Sequence, residues 1–292
     1  MASLDCHCYR PTRIATPLST LSFLALGQRV HVECPDPTLL AVLSANFGAM
    51  TSVQSDSSPD LEYSISGGPT AYSLGSGENR RVQAEGLGDL LYLLEGEVTV
   101  DLQKKRPDLF FLHSAALVRD GKAYLFTAES GGGKSTTTWG LLHHGFDYLS
   151  DELSPVDLRS MCVLPYPHAL CLKRSPPSPY ALPSEAIHLG RTIHIPPRVF
   201  PGAVLSEPIP LAAVFLLNYS PQLAQPNVDL IGPGEASAHL YVAALNALAH
   251  ANKGLDAAVN IAEHVPTYAV NTADLQATCA LIRSVVKEAV PH

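Results

Sequence analysis

The residues with the clearest chemical purpose lie in the run Ala128-Glu129-Ser130-Gly131-Gly132-Gly133-Lys134-Ser135-Thr136, where consecutive glycines precede a lysine and hydroxyl side chains. That order suits the handling of a nucleoside triphosphate. Glycines permit positive φ angles that turn successive N–H groups inward as a nest for phosphate oxygens, and a helix starting there adds the positive end of its dipole. In such a loop Lys134 reaches the β/γ-phosphates and the Ser135 hydroxyl suits Mg²⁺, a hard ion whose octahedral shell the phosphate oxygens complete. The residues expected to touch nucleotide are therefore Glu129, Ser130, Gly131, Gly132, Gly133, Lys134, Ser135 and Thr136. One position departs from the usual pattern: Ala128 opens the loop where glycine is common, which is acceptable if it ends a strand with negative φ. A plain glycine-rich turn is the competing reading.

A phosphate loop must sit between a strand and a helix, and the flanking sequence supplies both. Phe110 to Val118 reads as one buried strand, Asp120-Gly121 is a hairpin signal, and Lys122 to Thr127 reads as the strand feeding the loop. Ser135 to His144 forms a short helix with Trp139, Leu141 and Leu142 on its apolar side, stopped by Gly145. Phe146 to Leu149 then reads as another strand, which delivers Ser150-Asp151-Glu152 near the loop if the two strands are neighbours. Paired carboxylates there suit phosphoryl transfer, one holding metal and the other accepting a proton from the attacking hydroxyl. The alternative is a solvated acidic turn.

This ordered set resembles the HPr serine kinase/phosphorylase type of P-loop kinase, and especially the related kinases found beside ribosomal-peptide biosynthesis genes. The resemblance rests on His113 before the loop, the loop ending Gly133-Lys134-Ser135, and Asp151-Glu152 after the next strand. It is specific over Leu112 to Arg174 and general elsewhere. It implies a mixed sheet with flanking helices, with Asp151 as general base, Glu152 and Ser135 as magnesium ligands, and His113 near the phosphates or acceptor. Glu152 stands where the family commonly has a second aspartate. His113 also admits the reading of a strand histidine satisfied in the core.

Further on, the hydrophobic stretch Leu164 to Leu172 ends in Lys173 and Arg174, followed by a Pro/Ser-rich loop. Such cations can neutralise charge on a transferring phosphoryl group, or be solvated strand-end charges. The resemblance favours Lys173 for the catalytic role, with Arg174 as a phosphate or acceptor contact. Arg191 and Arg198 flank another Pro-rich passage and are weaker candidates.

The remaining chain reads as the elements that position these groups. With 292 residues, 46% of them hydrophobic, it can bury a sizeable core without outside staples. The expected fold class is α/β, with residues 1–105 as a small accessory α/β portion and 106–292 as the P-loop catalytic domain. In the first portion Arg29 to Glu33 and Leu61 to Ser66 read as strands and Pro37 to Phe47 as a helix. Gly67 to Gly77 reads as turn-rich, and a helix or buried segment begins near Gly88. In the second, Ala212 to Leu217 reads as a buried strand and Ala236 to Ala251 as a helix. A last helix carries Leu275, Cys279, Ile282 and Val286, with Asn271 and Thr272 as capping candidates.

A net charge of −8 argues against a broad nucleic-acid footprint. The six cysteines lack paired CxxC spacing, which points to free thiols in a reducing cytoplasm, and Cys6-His7-Cys8 lacks a second ligand pair for zinc. The sequence shows neither a secretory signal nor a membrane span, so the expected location is cytoplasmic. The residues point to a kinase using ATP and Mg²⁺, and the resemblance implies that the acceptor is a serine hydroxyl of a peptide, a lasso or other ribosomal precursor. Phosphorylation of a protein or small metabolite, or a non-catalytic nucleotide-dependent regulator, stays open, as do homo-oligomerisation and reverse phosphorolysis.

Overall fold

Alternation of apolar and polar side chains builds the amino-terminal layer. In the computed structural model, which describes residues 19–50, 58–77 and 80–288, β1 (Ser19–Ala25), β2 (Gln28–Cys34), β3 (Leu61–Gly68), β4 (Ala71–Ser76) and β5 (Arg80–Ala84) form one sheet in sequence order. Val30, Val32 and Cys34 of β2 and Leu61, Tyr63 and Ile65 of β3 are buried at every second position. They share a core with residues of α1 (Pro37–Phe47) and α2 (Leu87–Lys105). The Asp36 carboxylate starts α1 by accepting from the N–H groups of Thr38 and Leu39 at 2.7 and 2.9 Å. The turn-rich reading of Gly67 to Gly77 is corrected. Only its glycine ends turn, while β4 pairs with β3 and β5 and buries Tyr72 and Leu74. That alternation is too short to stand out among flanking glycines.

The second sheet holds the loop. It contains β6 (Phe110–Leu112), β7 (Ala115–Arg119), β8 (Lys122–Ala128), β9 (Asp147–Ser150), β10 (Ser154–Asp157) and β11 (Cys162–Val163). A small antiparallel sheet of β12 (Leu170–Leu172), β13 (Ile187–Leu189) and β14 (Thr192–Ile195) follows in the chain, and β15 (Ile209–Tyr219), β16 (Asn227–Ile231) and β17 (Thr267–Thr272) then complete the nine-stranded mixed sheet. β15 runs parallel to both β8 and β17, and β7 runs antiparallel between β8 and β9. The Asp120-Gly121 turn joining β7 to β8 has φ of 52° and 70°, the doubly positive geometry that matches strand twist.

Both faces of this sheet are covered. Tyr124, Phe126 and Phe215 share a core with α3 (Lys134–Leu142), α6 (Leu275–Glu288) and the small sheet, whereas Leu125, Val214 and Ala116 share one with α4 (Pro233–Ala243) and α5 (Leu255–His264). Gly140 lets α3 and α6 approach, since a Cβ there would stand 2.7 Å from Cys279 Sγ and 3.0 Å from Leu275 Cδ1.

Three sequence expectations are revised here. The single strand over Phe110 to Val118 is two, broken at His113-Ser114, with β6 pairing β10 and β7 pairing β8 and β9. The helix over Ala236 to Ala251 ends at Ala243, because Asn246 turns inward to donate to the Leu109 carbonyl at 2.8 Å and accept from the Phe111 N–H at 2.9 Å. Asn271 and Thr272 belong to β17, and Asp274 accepts from the Ala277 N–H at the start of α6. Cys6-His7-Cys8 lies outside the described residues, among which Cys34, Cys162, Cys171 and Cys279 are free thiols. No described helix is long and apolar enough to cross a membrane.

Candidate functional site

Strand β8 ends at Ala128 in extended backbone, so the missing first glycine costs the loop nothing. The chain then tightens, the Glu129 carbonyl accepting from the Gly132 N–H at 2.8 Å. Gly131 and Gly133 both take φ of 88°, and Gly133 caps α3 in the left-handed region without a side-chain cap on the first-turn N–H groups. A Cβ on Gly132 would lie 3.0 Å from Ala128 Cβ and from the Glu129 carbonyl oxygen. The loop can fold this closely onto the end of β8 only because that residue lacks a side chain.

The acid pair is not on a neighbouring strand, which was the condition for bringing it close. β7 lies between β8 and β9, so the two carboxyl ends are about 10 Å apart at the usual strand spacing. The gap is closed in another way. β7 begins at Ala115, opposite Phe126 of β8, and Ala116 faces Ser150 of β9. Above that point the middle strand is absent, because the chain breaks away at His113-Ser114. Lys134, extended from the start of α3, fills the opening.

There the charged groups meet. Lys134 Nζ donates to Asp151 Oδ1 and Glu152 Oε1, each at 2.8 Å, and the Ser135 hydroxyl donates to Asp151 Oδ2 at 3.0 Å. His113 Nε2 lies 2.6 Å from Glu152 Oε2, which places that histidine in the site and not in a satisfied core. Lys134 is 8% exposed and Asp151 fully buried, while the side chains of His113 and Glu152 are 41% and 44% exposed. Glu152 adopts φ of 68°, uncommon for a non-glycine, and this turns its carboxylate back toward Lys134 and His113. Burial opposes the Lys134 charge, but the Asp151 and Glu152 carboxylates outweigh it and raise the ammonium pKa. Burial likewise works against charge on Glu152, and the hydrogen bonds from His113 and Lys134 reverse this, holding the carboxyl well below the usual range.

Lys173, just past β12, reaches over the loop and donates to Ser130 Oγ at 3.0 Å. Arg174 is exposed beside it and is not tied into the cluster, nor are Arg191, in the turn between β13 and β14, or Arg198. Thr136 occupies the first turn of α3, partly buried.

One participant has no assignable role in the sequence. His168 is buried and its Nε2 lies 2.6 Å from the Asp151 carbonyl oxygen, a contact that makes Nε2 the protonated nitrogen. Burial lowers the His168 pKa, so the ring stays neutral and clamps the turn bearing both acids. No local spacing signals this, because the partner is a backbone atom 17 residues away. Hydroxyls brace the same turn from below, Ser154 Oγ donating to the Ser114 carbonyl at 2.9 Å and meeting Ser150 Oγ at 3.1 Å.

No family model and no curated protein matches the sequence. Among solved structures, that of the Hpr(Ser) kinase/phosphatase from Coxiella burnetii is similar at 17% identity, covering 61% of this chain and 97% of that chain with a TM-score of 0.34. A likeness of that degree says nothing about the chemistry of this chain.

Proposed function

We propose that this chain is an ATP- and Mg²⁺-dependent phosphotransferase that places the γ-phosphoryl group on a hydroxyl, with a serine of a peptide as acceptor. The observation that carries the reading is the convergence of Lys134 and Ser135 from the glycine loop with Asp151 and Glu152 from the next strand, all within 3.0 Å of a partner. The loop fits an anion in one further respect, since Gly131 and Gly133 take positive φ and α3 starts without a side-chain cap on its first N–H groups. ATP would supply the phosphoryl group and leave as ADP, and Ser135 and Glu152 would hold a magnesium ion that offsets the negative charge of the triphosphate.

The chain's own residues do the rest. Lys134 lets go of the acid pair and turns to the phosphates, where its ammonium and the loop N–H groups stabilise charge that builds in the transition state. Asp151, freed at Oδ1, accepts the proton of the attacking hydroxyl, and His168 keeps its backbone fixed while it does so. His113 holds Glu152 in place. Lys173 stands over the loop, where a cation offsets charge on the moving group. The serine-peptide acceptor rests on the sequence resemblance, and the chemistry rests on the cluster.

Mass spectrometry of serine peptides incubated with ATP and Mg²⁺ tests both. Asp151→Asn is expected to keep nucleotide affinity and lose most turnover, on the order of 10²–10⁴-fold for a lost general base. Turnover equal to that of the parent removes Asp151 from its role.

A further inference from the structure

Strand β15 outruns its neighbour beside the glycine loop. Its pairing with β8 ends where Leu217 meets Ala128, the last residue of β8, and β15 continues through Asn218 and Tyr219 along β17. These last residues stand level with the loop. A Cβ on Gly132 would lie 3.4 Å from the Leu217 carbonyl oxygen, and one on Gly133 would lie 4.0 Å from Tyr219 Cβ, so the tyrosine side chain starts at the wall of the loop itself.

Alternation puts Tyr219 on the same face of the sheet as Phe215 and Leu217, the face that shares its core with α3 and α6. Deeper on that face the rings are paired, Phe215 stacking on Phe126 at 5.2 Å and on Tyr268 at 5.3 Å between centroids. At the open end Tyr219 is 51% exposed, and among the described residues no ring stacks on it. A single exposed aromatic is ordinary on a protein surface, and its position is what distinguishes this one.

Strand order gives the ligand a direction. The sheet runs β15-β8-β7-β9, so Tyr219 and the acid pair that follows β9 flank the loop from opposite sides. Transfer to a hydroxyl held at Asp151 requires the γ-phosphoryl group to face β9, and the nucleoside, at the other end of the phosphate chain, is then directed toward β15. There the carboxyl ends of the parallel strands β8, β15 and β17 border the crevice in which open α/β sheets hold their ligands. We propose that Tyr219 is the platform for the base of the nucleotide, which stacks on its exposed face while the phosphates occupy the loop. This deepens the phosphotransferase reading and rests on it. Offset stacking of two π-systems requires a free ring face and no matching set of hydrogen bonds, and a free face beside the loop is what Tyr219 supplies.

Calorimetric titration of the full chain in Mg²⁺ with the imido analogue of ATP, beside inorganic tripolyphosphate, separates the base from the phosphates. The parent is expected to bind the nucleotide at least about tenfold more tightly than tripolyphosphate, and Tyr219→Ala to lose that advantage while its tripolyphosphate affinity stays within about twofold. Tyr219→Phe keeps the ring and should stay within about threefold of the parent. Tyr219→Trp adds a spectroscopic reading, since nucleotide should quench the new emission beyond any change that Trp139 shows in the parent, and tripolyphosphate should not. A parent that binds both ligands equally, nucleotide affinity unchanged in Tyr219→Ala, an equal loss for both ligands, or a bound nucleotide that leaves the introduced tryptophan unquenched overturns the platform and leaves the kinase reading standing. A parent that binds neither ligand overturns the nucleotide reading and the platform with it.

Discussion

Replacing Lys134 with methionine keeps the length of the side chain and removes its charge. Lys134 and Asp151 are 8% and 0% exposed and lie 2.8 Å apart, so the change strands a fully buried carboxylate with Ser135 Oγ as its remaining side-chain donor. Breaking one side of such a pair costs about 3–5 kcal/mol, and the apolar methionine returns about 1 kcal/mol. Glu152 is 44% exposed and regains water, so it is left out of the sum. The expected loss is about 2–4 kcal/mol. Adding Asp151→Asn removes the stranded charge and should recover about 1–3 kcal/mol, a strongly non-additive cycle. Urea unfolding followed by Trp139, the only tryptophan of the chain and buried in α3, reads all members of the cycle. Additivity within about 0.5 kcal/mol would refute the claim that these groups form one buried unit without nucleotide.

Other outcomes follow from the same geometry. Gly132→Ala should weaken binding of a fluorescent ATP analogue by about tenfold or more, because the added methyl meets Ala128 Cβ and the Glu129 carbonyl at 3.0 Å, and direct titration measures it. Glu95 gives a pH signature. Its folded pKa of about 8 lies above its unfolded value of about 4.3, so the folded state holds the proton more tightly and stability falls as pH rises between those values, levelling off above. Glu95→Gln does not ionise, and its advantage over the parent in urea unfolding should grow by about 1–3 kcal/mol from pH 5 to pH 8, a figure reduced for partial exposure.

The local parts of the site were legible and its assembly was not. Three glycines before Lys134 and Ser135 mark a tight loop within nine residues, and the strand before them, the helix after them and the Asp120-Gly121 turn follow from local chemistry. What could not be read is strand order. Nothing between Phe110 and Val118 marks the break at His113-Ser114, because the run is apolar throughout and the interruption is imposed by partners on two different strands. His168 acts across 17 residues through a backbone oxygen, and that leaves no pattern in the chain. Asn246 is the same lesson in reverse, a residue in an alanine-rich run that ends a helix because distant backbone groups need it.

The three residues of β6 have a consequence for how the molecule responds to load. Phe111 is embedded with the amino-terminal layer, whereas Phe110 and Leu112 are embedded with α4 and α5, so the strand is gripped from opposite sides. Directly after it His113 has its N–H anchored to the Ala243 carbonyl at 2.8 Å and its ring on Glu152. Any shift of one layer against the other would therefore reach the Glu152 carboxylate through three residues of strand and one histidine.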